Sequence, residues 1–127
     1  LRRSWRKILT KKVGWGRIKD RKERRKFMLL ETRAVRGKNT EVYQVLEVVI
    51  EGVLEPSALQ TIKLPLDLTP REGVVINGRA PVWVYAALTH KLNPYLWIAT
   101  YDPRIGAVVV ASHSKDIKVG QVIDLLI

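Results

Sequence analysis

The chain has no cysteine, which removes disulfides and thiolate zinc sites from consideration. No apolar run approaches the roughly 18–20 residues that a bilayer-spanning helix needs. A basic N-terminus with no apolar stretch behind it offers no secretory signal. Histidine is scarce, with two in 127 residues, so imidazole chemistry has two places to happen, His90 and His113. A chain of 127 residues is one domain by length, with a core small enough that oligomerisation would help it. The expectation is a soluble cytoplasmic protein with no membrane partner.

Acidic residues are short in one region above all. The formal charge is +11, and residues 1–27 hold 13 Lys/Arg against two acids, Asp20 and Glu23. Residues 28–127 hold 10 Lys/Arg and 10 acids, so the remainder is neutral. Within the basic segment, Trp5, Ile8, Leu9 and Val13 fall at helical spacing and Gly14-Trp15-Gly16 stops the pattern. The KDRKERRK run after it has no apolar residue to bury and should stay solvated. One reading is an arm that holds RNA phosphates non-specifically, with Trp5 and Trp15 as stacking surfaces. The other is an extension that adds nothing to the fold, the commoner fate of a charge run. Met28, the one methionine, stands where a neutral domain of 100 residues would begin. Leu1 is not an ordinary start. The division is therefore a basic extension over 1–27, disordered or partly helical, and a folded domain over 28–127.

That domain reads as alternating element types. Residues 43–51 (YQVLEVVIE) are rich in β-branched side chains and predict a strand, with MLLETRAV before it as a partner across an Arg36-Gly37-Lys38-Asn39 turn. Pro56 to Gln60 allows a turn or two of helix, and residues 63–72, with two prolines, read as loop. Strands follow over 74–76, 96–101, 107–112 and 121–126, with an amphipathic helix over 81–92 after the first of them. This is an α/β fold, a mixed sheet with one main crossover helix.

The crossover makes strands 74–76 and 96–101 parallel. It brings Asn77-Gly78-Arg79 and Asp102-Pro103-Arg104 to one edge, where open α/β sheets bind ligands. Pro103 keeps Asp102 extended. Ala80 precedes Pro81, so the helix starts with no side-chain cap and its free N–H groups suit an anion such as phosphate; water or Asn77 would satisfy them equally. His90 lies nine residues beyond Pro81, roughly 13–14 Å along the axis, towards the opposite edge. His113 ends the strand that turns back after Asp102 and belongs to that edge too. One subunit should not bring either histidine to Asp102. They act together between molecules, or they are ordinary surface histidines.

VVINGRAPVWVYAALTHKL, ATYDPRIGAVVVASHS and the closing VGQVIDL resemble the small stand-alone CRISPR-associated ring nucleases of type III systems, the third ring nuclease family. The resemblance covers residues 42–127 in order and leaves the basic segment without a counterpart. It implies a Rossmann-like (CARF-like) fold and a homodimer that stacks into tetramers or higher around cyclic tetra-adenylate. It also implies Mn²⁺, and a site shared between a histidine and an Asp-Pro-Arg aspartate on opposing dimers. Carried onto this chain, the catalytic pair is His90 and Asp102, with His113 as a second histidine. The metal donors are Asp102, His90 and His113, and the phosphate contacts are Asn77, Gly78, Arg79 and Arg104. Asn-Gly-Arg-Ala-Pro stands where members often have Gly-Arg-Gly-Pro, and Asn93 stands where members can carry another histidine. The expected activity is degradation of the cyclic tetra-adenylate messenger. Alternatives are a module that binds it without cutting, or a Mn²⁺-dependent 3′-end exoribonuclease on adenylate-rich RNA with the basic arm as track. Trp83 and Tyr101 could stack on adenine, but a place in the core is the better expectation for both.

Overall fold

The computed structural model describes residues 27–127. The expected short helix over residues 5–13 and the charge run after it lie outside the described residues. Among the described residues, six strands and one α-helix run in order: β1 Phe27–Arg36, β2 Val42–Glu51, β3 Val74–Asn77, α1 Val82–Lys91, β4 Trp97–Asp102, β5 Gly106–Ser112 and β6 Val122–Ile123. A 3-10 turn, Pro56–Thr61, interrupts the connection from β2 to β3. Among the described residues no helix is long and apolar enough to cross a membrane.

The strands form one sheet in chain order, β1 to β6. β1 and β2 make a ten-residue antiparallel hairpin, from Phe27 opposite Glu51 to Arg36 opposite Val42. β2, β3 and β4 run parallel, and β4, β5 and β6 run antiparallel. The mixed α/β sheet with one crossover helix is therefore as expected. α1 begins one residue later than the sequence suggested. Pro81 is extended, with ψ 153°, and serves as the N-cap, because its ring leaves no N–H to continue a helix backwards.

Each sheet face has its own core. Val84, Leu88 and Leu92 stack at a spacing of four residues and press α1 onto Leu46, Val48, Val74, Ile76 and Ile98. On the other face no helix among the described residues covers Val35, Val45, Val75, Ala99, Val109 and Ile123, which pack with Trp97 into a second cluster. Trp97 meets Tyr43 edge to face, centroids 6.0 Å apart, and its indole lies against Gly73, where an added Cβ would fall 1.8 Å from the ring. The sheet covers this face by curling on itself. The Leu126 N–H donates to the Arg36 carbonyl at 2.8 Å, Gly37 bridges Leu125, and Lys38 pairs with Asp124 at 3.4 Å. This closure corrects one expectation: the strand over 121–126 shrinks to Val122–Ile123, because the chain leaves β5 there to meet the end of β1.

One acid sits badly in this frame. Glu31, opposite Glu47 on the neighbouring strand, is only 3 % exposed, and its Oε1 has no hydrogen-bond partner. Burial, and secondarily the nearby Asp67, holds its carboxyl above the ordinary value of 4.5. A folded state that keeps this proton more tightly than the unfolded chain is most favoured below 4.5 and loses stability as pH rises through the folded pKa. Glu31→Gln is therefore expected to be more stable than the parent at neutral pH, with the advantage fading below pH 4.5. Urea melts across that range check it; a parent as stable as the variant at neutral pH would mean that the carboxylate finds water.

Candidate active site

The parallel register places Ile76 level with Thr100 and Asn77 level with Glu47, so the turns after β3 and β4 share one edge. Their side chains are already engaged. The Asn77 amide nitrogen donates to both Glu47 oxygens, at 3.1 and 3.2 Å, and Glu47 also accepts from Arg33 at 3.1 Å. A carboxylate only accepts, so this fixes the amide orientation and leaves Asn77 with an oxygen to present. That is an acceptor, unsuited to the phosphate contact the sequence suggested for this side chain. Gly78 has φ 144°, and a Cβ there would lie 2.3 Å from the Val48 carbonyl oxygen. Only glycine fits so close to β2. The Gly78 carbonyl in turn accepts from the Tyr85 hydroxyl. Arg79 is exposed and belongs to none of the ion pairs among the described residues.

Asp102-Pro103-Arg104-Ile105 is a β-turn closed by Ile105 N–H on the Asp102 carbonyl at 3.1 Å, with proline at its favoured second position. The Asp102 side chain is wrapped by Arg104. It accepts from the backbone N–H at 2.9 Å, from Nε at 3.2 Å and from Nη2 at 3.0 Å. The guanidinium is the main reason that the Asp102 carboxyl lies below its ordinary value. The pair is self-neutralising, and the Nη1 side of Arg104 remains free to take a phosphate oxygen. Between this turn and α1 opens a pocket of about 430 Å³ lined by Tyr85, Thr100, Tyr101, Asp102, Pro103 and Arg104. Tyr101 also packs against the second core cluster, and Trp83 against the first.

Both histidines lie at the other edge. His90 is in the last turn of α1 and exposed. His113 follows β5, its N–H donating to the Leu96 carbonyl at 2.7 Å. Its Nε2 meets the Asn93 carbonyl at 2.9 Å, and since a carbonyl only accepts, Nε2 is the donor in this contact. From Leu96 to Asp102 the strand advances six residues, roughly 20 Å at about 3.3 Å per residue. Among the described residues no three metal-binding side chains come together. One chain thus holds the phosphate-facing turns at one edge and the imidazoles at the other.

The sequence that builds this site has a counterpart among known proteins. The family model described as CRISPR-associated protein (Cas_csx3) matches residues 47–124, well over half of the chain and every site residue named above except Arg33. The chain belongs to this family. A Cas_csx3 protein is CRISPR-associated, and that much holds for this one. A protein of Aquifex aeolicus (strain VF5), described as "Uncharacterized protein", is 51% identical over 51 residues, 39% of this chain and 46% of that protein. The match thus spans less than half of the relative's length. Within this Cas_csx3 chain, Tyr85 and Glu47 are the site residues that sequence reasoning did not single out. An acid inside the apolar stretch 45–50 (VLEVVI) was the available signal for Glu47; Tyr85, one of two aromatics on its helix with Trp83, carried none.

Proposed function

We propose that this Cas_csx3 protein is a ring nuclease that opens cyclic tetra-adenylate, with a site completed only when one homodimer stacks on another. The observation that carries the reading is the separation of Asp102, Arg104 and Arg79 at one sheet edge from His90 and His113 at the other. A ring of four phosphates held between two such edges would meet arginines from one molecule and imidazoles from the next. Arg79 and the free side of Arg104 bind and orient the phosphate, which arginine does bidentately. Asp102 holds the Arg104 guanidinium in place. Breaking the phosphorus–oxygen bond requires a proton to leave the attacking hydroxyl and one to reach the departing oxygen. Imidazole transfers both near neutral pH, and exposed His90 is the group placed to do so.

The donor set of one chain does not fit manganese, since Asp102 is occupied by Arg104 and both histidines are far from it. Mn²⁺ would therefore be held only in the stacked assembly, where a histidine of one molecule comes near Asp102 of another. One observation favours a second reading. The Asp102–Arg104 pair leaves no uncommitted carboxylate, as suits a module that holds the ring without cutting it. Incubating cyclic tetra-adenylate with the protein, with and without Mn²⁺, and separating the products decides between them. Linear adenylates formed in the presence of Mn²⁺ are expected. Tight binding with the ring intact under both conditions would make the protein a binder.

A further inference from the structure

We infer that Tyr85 is a positioning residue of the phosphate-facing edge, acting through the Gly78 carbonyl to hold the turn that carries Arg79. The inference rests on the reading of that edge as the ligand site and goes one residue beyond it. Three observations meet at this side chain. Its hydroxyl donates to the carbonyl of Gly78, the residue whose backbone is already pinned against Val48 on the other side. Its ring forms part of the pocket wall with Thr100, Tyr101, Asp102, Pro103 and Arg104. It stands on α1, whose Val84 and Leu88 neighbours are buried, so the hydroxyl is carried by a rigid element.

Tyr85 bonds one turn and lines the pocket beside the other, and no side chain is bonded from one turn to the other among the described residues. The Asp102 turn is stiffened internally by Arg104. The Asn77-Gly78-Arg79 turn has Glu47 at its first residue and Tyr85 at its second, and nothing of the kind at its third, Arg79. An exposed arginine on a loose turn spends binding energy on ordering itself. A clamp one residue away reduces that cost, and it does so from the pocket wall where the ligand would lie. Burial, and next the Glu47 charge, keep the phenol above its ordinary value of 10.0, so the hydroxyl remains a donor throughout the physiological range.

Tyr85→Phe removes the hydroxyl and keeps the ring in its wall. Two measurements on the full chain test the inference. Amide hydrogen exchange without ligand should be faster at Arg79 and Ala80 in the variant, and unchanged in β2, β3 and β4. Binding of cyclic tetra-adenylate should weaken by roughly tenfold, the equivalent of one charge-assisted contact. The slope of log affinity against log salt should stay parental, because the Arg79 contact still forms at a greater ordering cost, whereas Arg79→Ala should lower it by about 0.7. In an Arg79→Ala background the Tyr85→Phe substitution should not change affinity, because the residue it positions is gone. A Tyr85→Phe variant that binds with parental affinity, while Arg79→Ala weakens binding, overturns the inference and leaves the ligand site standing. Additive losses in the double variant overturn it too. A parent that does not bind the ring at all removes the ligand reading, and the exchange measurement then still reports whether Tyr85 holds the turn.

Discussion

Two inactive proteins, Asp102→Ala and His90→Ala, are expected to recover cleavage of cyclic tetra-adenylate when mixed. Each alone should lose about 10²–10⁴-fold in rate. One lacks the acid/base group, the scale of whose contribution is known. The other lacks the anchor that keeps Arg104 on the phosphate. In the mixture, some stacked pairs set an intact imidazole edge against an intact Asp102 edge. Stacking is a second-order event, so the parent rate should rise more steeply than linearly with protein concentration until the assembly saturates. Initial rates of the two variants alone, mixed, and at several concentrations check both statements. A linear rate with no recovery on mixing would mean that a single subunit or dimer suffices, despite the roughly 20 Å of strand between its two sets of groups.

Gly78→Ala is expected to cost about 2–4 kcal/mol of stability. Two penalties coincide at this residue. Its φ of 144° is a conformation that side chains avoid, and the new Cβ would meet a backbone oxygen of β2 at 2.3 Å. The oxygen cannot swing aside as the end of a flexible side chain would, because it belongs to a strand paired on both sides. Relief would have to come from the turn, drawing the Gly78 carbonyl off Tyr85 and moving Arg79. Urea denaturation should show a lower midpoint with an unchanged slope, and ligand affinity should fall further than in Tyr85→Phe. A fully stable Gly78→Ala protein would mean that the turn has an alternative path.

The elements that were legible in the sequence are those written by local rules. The run YQVLEVVIE, the hydrophobic spacing behind Pro81, and the Asp-Pro-Arg turn each specify a conformation within a few residues, and each is found close to its expected bounds. The edge placement of Asp102 and of the two histidines also followed, because a crossover makes its two strands parallel and sets their ends at one edge. What was not legible depends on register between distant strands. Nothing near Asn77 in the chain reveals that Glu47 stands opposite it, since that pairing spans 30 residues. The same holds for Tyr85 and the carbonyl it clamps, where helix phase and turn geometry must both be known. The arginine wrapped around Asp102 is only two residues away, yet the sequence reading gave it to the phosphate alone. A carboxylate and a guanidinium so close in the chain will pair before either meets a ligand.

The corner where the sheet meets itself sets the order in which this chain can assemble. Gly37 and Leu125 are 88 residues apart, the difference of their numbers. Joining them first would close a loop at an entropic cost of about 4 kcal/mol, apart from a constant, with only one bridge, one nearby hydrogen bond and the exposed Lys38–Asp124 pair in return. The β1–β2 hairpin and the β4–β5 hairpin need no such search, and once β3 and α1 join them the two ends of the sheet arrive together. The seam therefore closes last in folding and opens first in unfolding, a zip fastened at one end after the cloth is sewn. While it is open, the second core cluster faces water along the flank of Val35 and Ile123, and the unpaired rims of β1 and β6 are briefly available to other strands.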